Sequence, residues 1–131
     1  MIVADSSALI KYLSREEGWP EVRRHLEGGS ITLDLAFKEA FNAIWKRVVM
    51  DGLEEDYASK VLASFLKSEL VKRVDQERFL REAFAIAVRG KITVYDSLFI
   101  ALARETGMPL LTSDAKQARA AEKENAKAIL A

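Results

Sequence analysis

Residues 92–117, ITVYDSLFIALARETGMPLLTSDAKQ, decide the fold. They read as a loop, a helix, a turn, a short buried strand and the start of a second helix. An aspartate stands at each junction: Asp96 where the first helix begins, and Asp114 where the strand Leu110, Leu111, Thr112 hands over to the next helix. A strand that short, preceded by a helix of about ten residues, brings two such junctions to one end of a sheet. Two carboxylates at one sheet edge point to a cation site. Taken singly, each also serves as a helix N-cap, which contributes about 1 kcal/mol without any chemistry.

The same arrangement opens the chain. Residues 1–4, MIVA, form an apolar run of the kind that makes a buried strand. Asp5 ends it, and Ser6 and Ser7 begin a helical pattern carried by Ala8, Leu9, Tyr12 and Leu13. Gly18, Trp19 and Pro20 break that helix and start another over 21–26, closed by a Gly28-Gly29 turn. Residues 31–33 predict a second strand, and Asp34 is placed to cap a helix over 35–50. Phe37, Ala40, Phe41, Ile44 and Val48 stripe one side of this helix, and Glu39, Asn42 and Lys46 lie on another strip. After Gly52, Tyr57, Val61, Leu62, Phe65 and Leu66 mark a further amphipathic helix. Residues 70–74 read as a third strand and 79–88 as an apolar-rich helix stopped by Gly90. Beyond Asp114, 116–124 is helical in composition and 126–130 predicts an edge strand, in a tail polar enough to fray. Strands separated by helices imply a single domain over 1–131. The expected fold is a three-layer α/β/α sandwich around a mostly parallel sheet of about five short strands. In such sheets ligands bind beyond the carboxyl ends of the strands, where Asp5 and Asp114 fall.

Composition narrows the chemistry. With 131 residues, half of them apolar, the chain can bury a substantial core. No apolar run approaches the roughly 20 residues of a membrane-spanning helix. Asp5 interrupts the N-terminal apolar run at once, which argues against a signal peptide and for a cytoplasmic protein. Cysteine is absent, so no disulfide framework and no thiolate ligand or nucleophile is available. The sole histidine, His25, lies in an early helix away from the acids, and nucleophilic triads are thereby excluded. Twenty basic residues balance twenty acidic ones, unlike a protein that coats nucleic acid by charge alone. An acidic metal centre offset by surrounding basic residues fits that balance.

Asp5, Asp96 and Asp114 at strand–helix junctions, with Glu39 on a helix packed beside them, make a constellation that capping does not require. Like charges this close raise one another's pKa unless a cation is present. Carboxylates on rigid elements, with no histidine or cysteine nearby, suit a hard ion such as Mg²⁺ or Mn²⁺.

Four motifs in this order carry a resemblance. MIVADSSALIKYL has an apolar strand, an aspartate and then Ser7 two positions on. LDLAFKEAFNAIWK has Glu39 followed three residues later by Asn42. TVYDSLFIALARETGMPLLTSD has Asp96 opening an alanine-rich helix, a glycine, and then Thr112-x-Asp114. Together they resemble PIN-domain ribonucleases almost end to end, and most closely the small VapC-type toxins of toxin–antitoxin pairs.

The resemblance implies that Asp5, Glu39, Asp96 and Asp114 form a metal site for RNA phosphodiester hydrolysis, leaving 5′-phosphate and 3′-hydroxyl ends. It makes Ser7 and Thr112 supports for the carboxylates or for metal-bound water, and Asn42 a support for Glu39. It also implies a VapB-type antitoxin partner and a homodimer, for which the apolar helices 53–66 and 79–88 are the candidate interfaces. The Phe and Trp residues on those helices are read as core. One departure matters: many relatives carry a further acid two positions after the last aspartate, where this chain has Lys116, which puts a second metal position in doubt. Lys116 becomes a candidate phosphate contact, with Lys11, Lys46, Arg47 and Lys91, all near the motifs in sequence. Two other readings remain. One is a catalytically silent PIN-fold scaffold that binds RNA or assembles a complex, against which the presence of all four acids counts. The other is a phosphotransfer enzyme with Asp5 as nucleophile, against which Ser7 counts, since such enzymes want an acid there.

Overall fold

The computed structural model describes all 131 residues. Strand β1 (Ile2–Ala4) is followed by helices α1 (Ser6–Ser14) and α2 (Trp19–Glu27), then by β2 (Ser30–Leu33). Helices α3 (Asp34–Asp51) and α4 (Glu55–Ser68) lead to β3 (Lys72–Val74). A 3₁₀ turn (Glu77–Phe79), α5 (Leu80–Gly90) and α6 (Val94–Thr106) precede β4 (Leu110–Thr112). Helix α7 (Ala115–Lys123) and β5 (Ala128–Leu130) complete the chain.

All four strand pairings are parallel, in the order β3-β2-β1-β4-β5. The chain builds outward from β1 to β3, then returns across it to build β4 and β5 on the other side. With right-handed crossovers, the first direction puts α1–α4 on one face and the second puts α5–α7 on the other. The result is the expected sandwich, with a wholly parallel sheet. The chain reverses direction between β1 and β4, and that crevice is where open α/β sheets bind ligands.

Both faces are covered, so the central strands are apolar throughout. Val3, Ala4, Leu33, Leu110 and Leu111 are completely buried. Helix α6 is the most enclosed of the helices: every residue from 97 to 103 is buried. The sequence LFIALA allows this, because small alanines alternate with large side chains and let neighbours approach. At the end of α6, Gly107 takes a left-handed backbone (φ 71°) that closes the helix and turns the chain toward β4.

Several expectations shift by a turn or less, each for a local reason. Asp34 is the first residue of α3 and not its cap: the cap position falls on Leu33, which makes no side-chain capping bond. The Asp34 carboxylate pairs instead with Lys38 and, across to β3, with Arg73. Gly90 does not stop α5 but ends it as a helical residue. Lys91 takes the left-handed cap (φ 54°). The third strand is shorter than 70–74, and the last spans 128–130. The tail is ordered, because β5 pairs with β4 along its length and the Glu122 carboxylate accepts a hydrogen bond from the Ala128 N–H. Phe65 and Phe79 are core residues as expected, but Phe84 is 64% exposed.

Phe99, 2% exposed within α6, is the largest of the fully enclosed side chains. Phe99→Ala is expected to cost about 3–5 kcal/mol in a urea unfolding titration, the range for emptying an aromatic site that cannot collapse.

Candidate active site

Asp5 sits at the carboxyl end of β1, held by the register with β4. Val3 pairs with Leu110 and Ala4 with Leu111, and the Asp5 N–H continues the ladder to the Leu111 carbonyl at 3.0 Å. That register sets Asp5 against Thr112. Its side chain does two jobs at once. Oδ1 caps α1 by accepting from the Ala8 N–H (3.0 Å), and it also accepts from the Ser7 hydroxyl (2.6 Å). Ser7 Oγ lies 3.1 Å from Thr112 Oγ1 and accepts from the Ser113 N–H at 2.9 Å. Thr112 Oγ1 in turn accepts from the Asp114 N–H at 3.1 Å. A chain of hydroxyls therefore ties the end of β1 to the end of β4. Ser7 and Thr112 stand where supports for a carboxylate are wanted.

Asp114 is the N-cap of α7, accepting from the Lys116 N–H at 2.9 Å on Oδ1 and leaving Oδ2 uncommitted. Asp96 differs from expectation. The cap of α6 is Thr93, whose hydroxyl accepts from the Asp96 N–H at 3.1 Å, so Asp96 is the third residue of the helix. A carboxylate in the first turn still meets the positive end of the helix dipole. Gln117 Nε2 donates to the Asp96 carbonyl (2.8 Å), which pins α7 against α6 and holds Asp96 and Asp114 on one groove. This buried glutamine was not singled out in the sequence, although its place three residues after the cap of α7 was visible there.

The charge of Asp114 acts on Asp96, and that of Asp96 on Asp5. Burial pushes the Asp5 carboxyl up to about 6. The Ser7 and Thr112 hydroxyls and the Ala8 N–H pull it back, and the charge of Asp96 adds to the rise. Asp96 is exposed as a residue, yet its carboxylate lines the groove. Partial desolvation raises its pKa first and Asp114 second, against Thr93 and the positive charge of Lys116. Glu39 stands apart from this group. It accepts from Ser6 Oγ, the serine between Asp5 and Ser7, at 2.5 Å. Asn42 is exposed and is not the partner of Glu39. No three acidic side chains are drawn around a single point as a preformed cage. By chemistry the donors fit a hard divalent ion: they are all oxygen, they lie at one sheet edge, and two of them repel a third.

The groove beside the acids encloses about 490 Å³, and its walls include Lys91, Thr93, Asp96, Asp114, Lys116, Gln117, Arg119 and Lys123. Of the five basic residues expected near the site, only Lys91 and Lys116 reach it. Arg47 reaches instead to the Ser14 carbonyl at the far end of α1, and Lys11 packs beside Gly18. Lys46 is exposed on α3 and does not line the groove. Arg119 and Lys123 line it too, although in sequence they are only charges on a polar helix. His25 is half-buried on α2, outside the groove.

Residues 2–123 match the PIN domain family model. The chain belongs to the PIN-domain family. It is 36% identical over 118 residues to Ribonuclease VapC3 of Pyrobaculum aerophilum, covering 86% of this chain and 88% of that protein. Its PIN fold is similar to that of the solved Pyrobaculum aerophilum protein PAE2754, with a TM-score of 0.75 and 25% identity over 97% of this chain and 89% of that one. A toxin–antitoxin complex from Klebsiella pneumoniae shares the fold with a TM-score of 0.62 at 17% identity, covering 90% of each chain. No helix of this PIN domain is long and apolar enough to cross a membrane.

Asp5 supplies a measurable signature. Its native carboxyl binds a proton more tightly than the ordinary value of 3.8. Between pH 3.8 and about 6 the native state therefore holds more protons than the unfolded chain, and stability falls as pH rises through that window. Asp5→Asn keeps a capping oxygen and removes the buried charge. In chelator-treated buffer at pH 8 the variant is expected to be more stable by on the order of 3 kcal/mol, with the gain gone below about pH 4. A gain that does not change with pH would contradict this account.

Proposed function

We propose that this chain is a divalent-metal-dependent ribonuclease and the toxin of a toxin–antitoxin pair, acting in the cytoplasm. The observation that carries the reading is the gathering of Asp5, Asp96 and Asp114 at the β1/β4 crevice, tied together by the Ser7–Thr112 hydroxyls and by Gln117, in a chain 36% identical to a protein named a ribonuclease. Binding alone does not call for carboxylates held against one another beside a basic groove.

In this reading Asp5, Asp96 and Asp114 would hold Mg²⁺ or Mn²⁺, with Glu39 joining them directly or through water. The chemistry supplied by such an ion would be activation of water and neutralisation of charge on the scissile phosphate. The protein's own residues do the rest. The Ser7–Thr112 hydroxyl chain orients the Asp5 carboxylate, and Ser6 fixes Glu39 on the neighbouring helix. Asp114 spends one oxygen on its cap and offers the other to the groove. Lys116 and Lys91 bring positive charge to the phosphate from the groove walls. Water adds to phosphorus as the P–O3′ bond breaks, the departing oxygen takes up a proton, and the ends are 5′-phosphate and 3′-hydroxyl. Asp96→Asn is expected to abolish metal-dependent cleavage of a single-stranded RNA while leaving the thermal unfolding temperature within a few degrees of the parent. Undiminished cleavage by a clean preparation would sink the scheme.

The partner side of the reading rests on the VapC-like sequence and on the Klebsiella neighbour, which was solved with its antitoxin. An antitoxin of the VapB type would block the groove at the acids. For the homodimer, Leu80, Phe84 and Val88 favour α5 over α4: they form an exposed stripe at four-residue spacing, continued by Tyr95 on α6. Exposed side chains of this size in one line mark an association surface more often than a solvated one. Sedimentation at micromolar concentration is expected to give a dimer that Phe84→Glu converts to monomer. A monomeric parent protein would remove this assignment.

A further inference from the structure

The groove holds more positive charge than two catalytic-site lysines account for, and the charge has a direction. Lys116, Arg119 and Lys123 lie at positions i, i+3 and i+7 of α7, hence on one face of that helix. They span about 10 Å from the first to the last, at 1.5 Å per residue. Lys116 is the one beside Asp114, so the line leads away from the carboxylates. Lys91, at the left-handed end of α5, faces it from the opposite wall.

These four cations are unpaired. None of them enters an ion pair, although basic side chains nearby do. Arg89 and Arg104 both engage Glu124, and Arg104 also engages Glu82. Glu124, the only other acid in the groove wall besides Asp96 and Asp114, is therefore neutralised from behind, and its pKa is lowered chiefly by Arg89. In a chain of net charge zero, a groove with its one distal acid neutralised and four cations left free is a local excess that the fold does not need. Stability would be better served by pairing them.

We infer that Arg119 and Lys123, with Lys91 opposite, form a track for the phosphate backbone of single-stranded RNA, carrying one flank of the substrate away from the carboxylates along α7. The track rests on the ribonuclease reading for its occupant but not for its charge. It supplies affinity without base recognition, since cations on a helix face contact phosphates and read no base edge.

The experiment separates the two. Binding of a fluorescein-labelled oligouridylate of about a dozen nucleotides is followed by anisotropy in excess chelator, over a series of salt concentrations, for the parent, for Arg119→Ala/Lys123→Ala, and for the control Lys60→Ala/Lys67→Ala on α4. All four substituted residues are exposed. Each phosphate contact with a single strand contributes about 0.7 to the slope of log K against log salt. The α7 pair is expected to make that slope shallower by about 1.4, and the α4 pair to leave it unchanged. An unchanged slope for the α7 pair overturns the track even if the parent cleaves RNA. An equal change for the α4 pair overturns it as well, since the binding would then be diffuse. The expected slopes from a parent that never cleaves RNA would uphold the track and remove the nuclease reading.

Discussion

The parallel pairing of β1 with β4 is the constraint on which the site depends. Two registered pairs and one further backbone bond from Asp5 to Leu111 place a carboxylate at the one crevice where the chain reverses direction. Everything polar nearby follows from that placement. Ser7, in the first turn of α1, reaches Thr112 because β1 and β4 end level, Ser113 and Asp114 hang their N–H groups on the same two hydroxyls, and Asp114 is left at the mouth. A shift of one residue would turn each side chain to the other side of its strand and dissolve the cluster.

The cluster is expensive to keep. Asp5 is 4% exposed, and a carboxylate whose pKa is raised by burial and by a neighbour's charge works against folding at neutral pH. The surrounding fold offsets this with enclosure elsewhere: seven consecutive buried residues in α6, and strands buried on both faces. A wholly parallel sheet suits this task. Its strand ends lie at one edge, its helices start there, and the N–H groups of those helices supply donors to the carboxylates at no cost in extra side chains.

Much of this was legible in the sequence, because an aspartate after an apolar run of three or four residues marks both the end of a strand and the start of a helix. Asp5 and Asp114 are caps as read. At Asp96 the acid itself looks like the start of the helix, whereas Thr93 three residues earlier takes the cap; the spacing T-x-x-D carries that signal. The roles of Lys11, Lys46 and Arg47 were drawn from nearness in sequence, which a helix does not preserve. Ser6 and Ser14 of α1 touch Glu39 and Arg47 of α3 respectively, so the two helices run side by side away from the strand ends. Eight residues along them is about 12 Å, and Arg47 ends that far from the acids. The exposure of Phe84 was not legible either, since an apolar side chain on an amphipathic helix looks the same whether the core or another surface covers it.

The same geometry explains why acids and cations divide as they do. Asp5 and Asp114 stand at strand–helix junctions and are fixed by the sheet edge, whereas Asp96, expected at such a junction, follows a turn between two helices and is held beside Asp114 by Gln117. Cations farther along a helix stay near the site only if that helix runs along the groove. Helices α1 and α3 lead away from it and carry Lys11 and Arg47 with them. Helix α7 is pinned to α6 through Gln117 and the Asp96 carbonyl, and its free face becomes the groove wall. Lys116, two positions past Asp114, is thus the first member of a cationic line, and it begins the path leading out of the crevice.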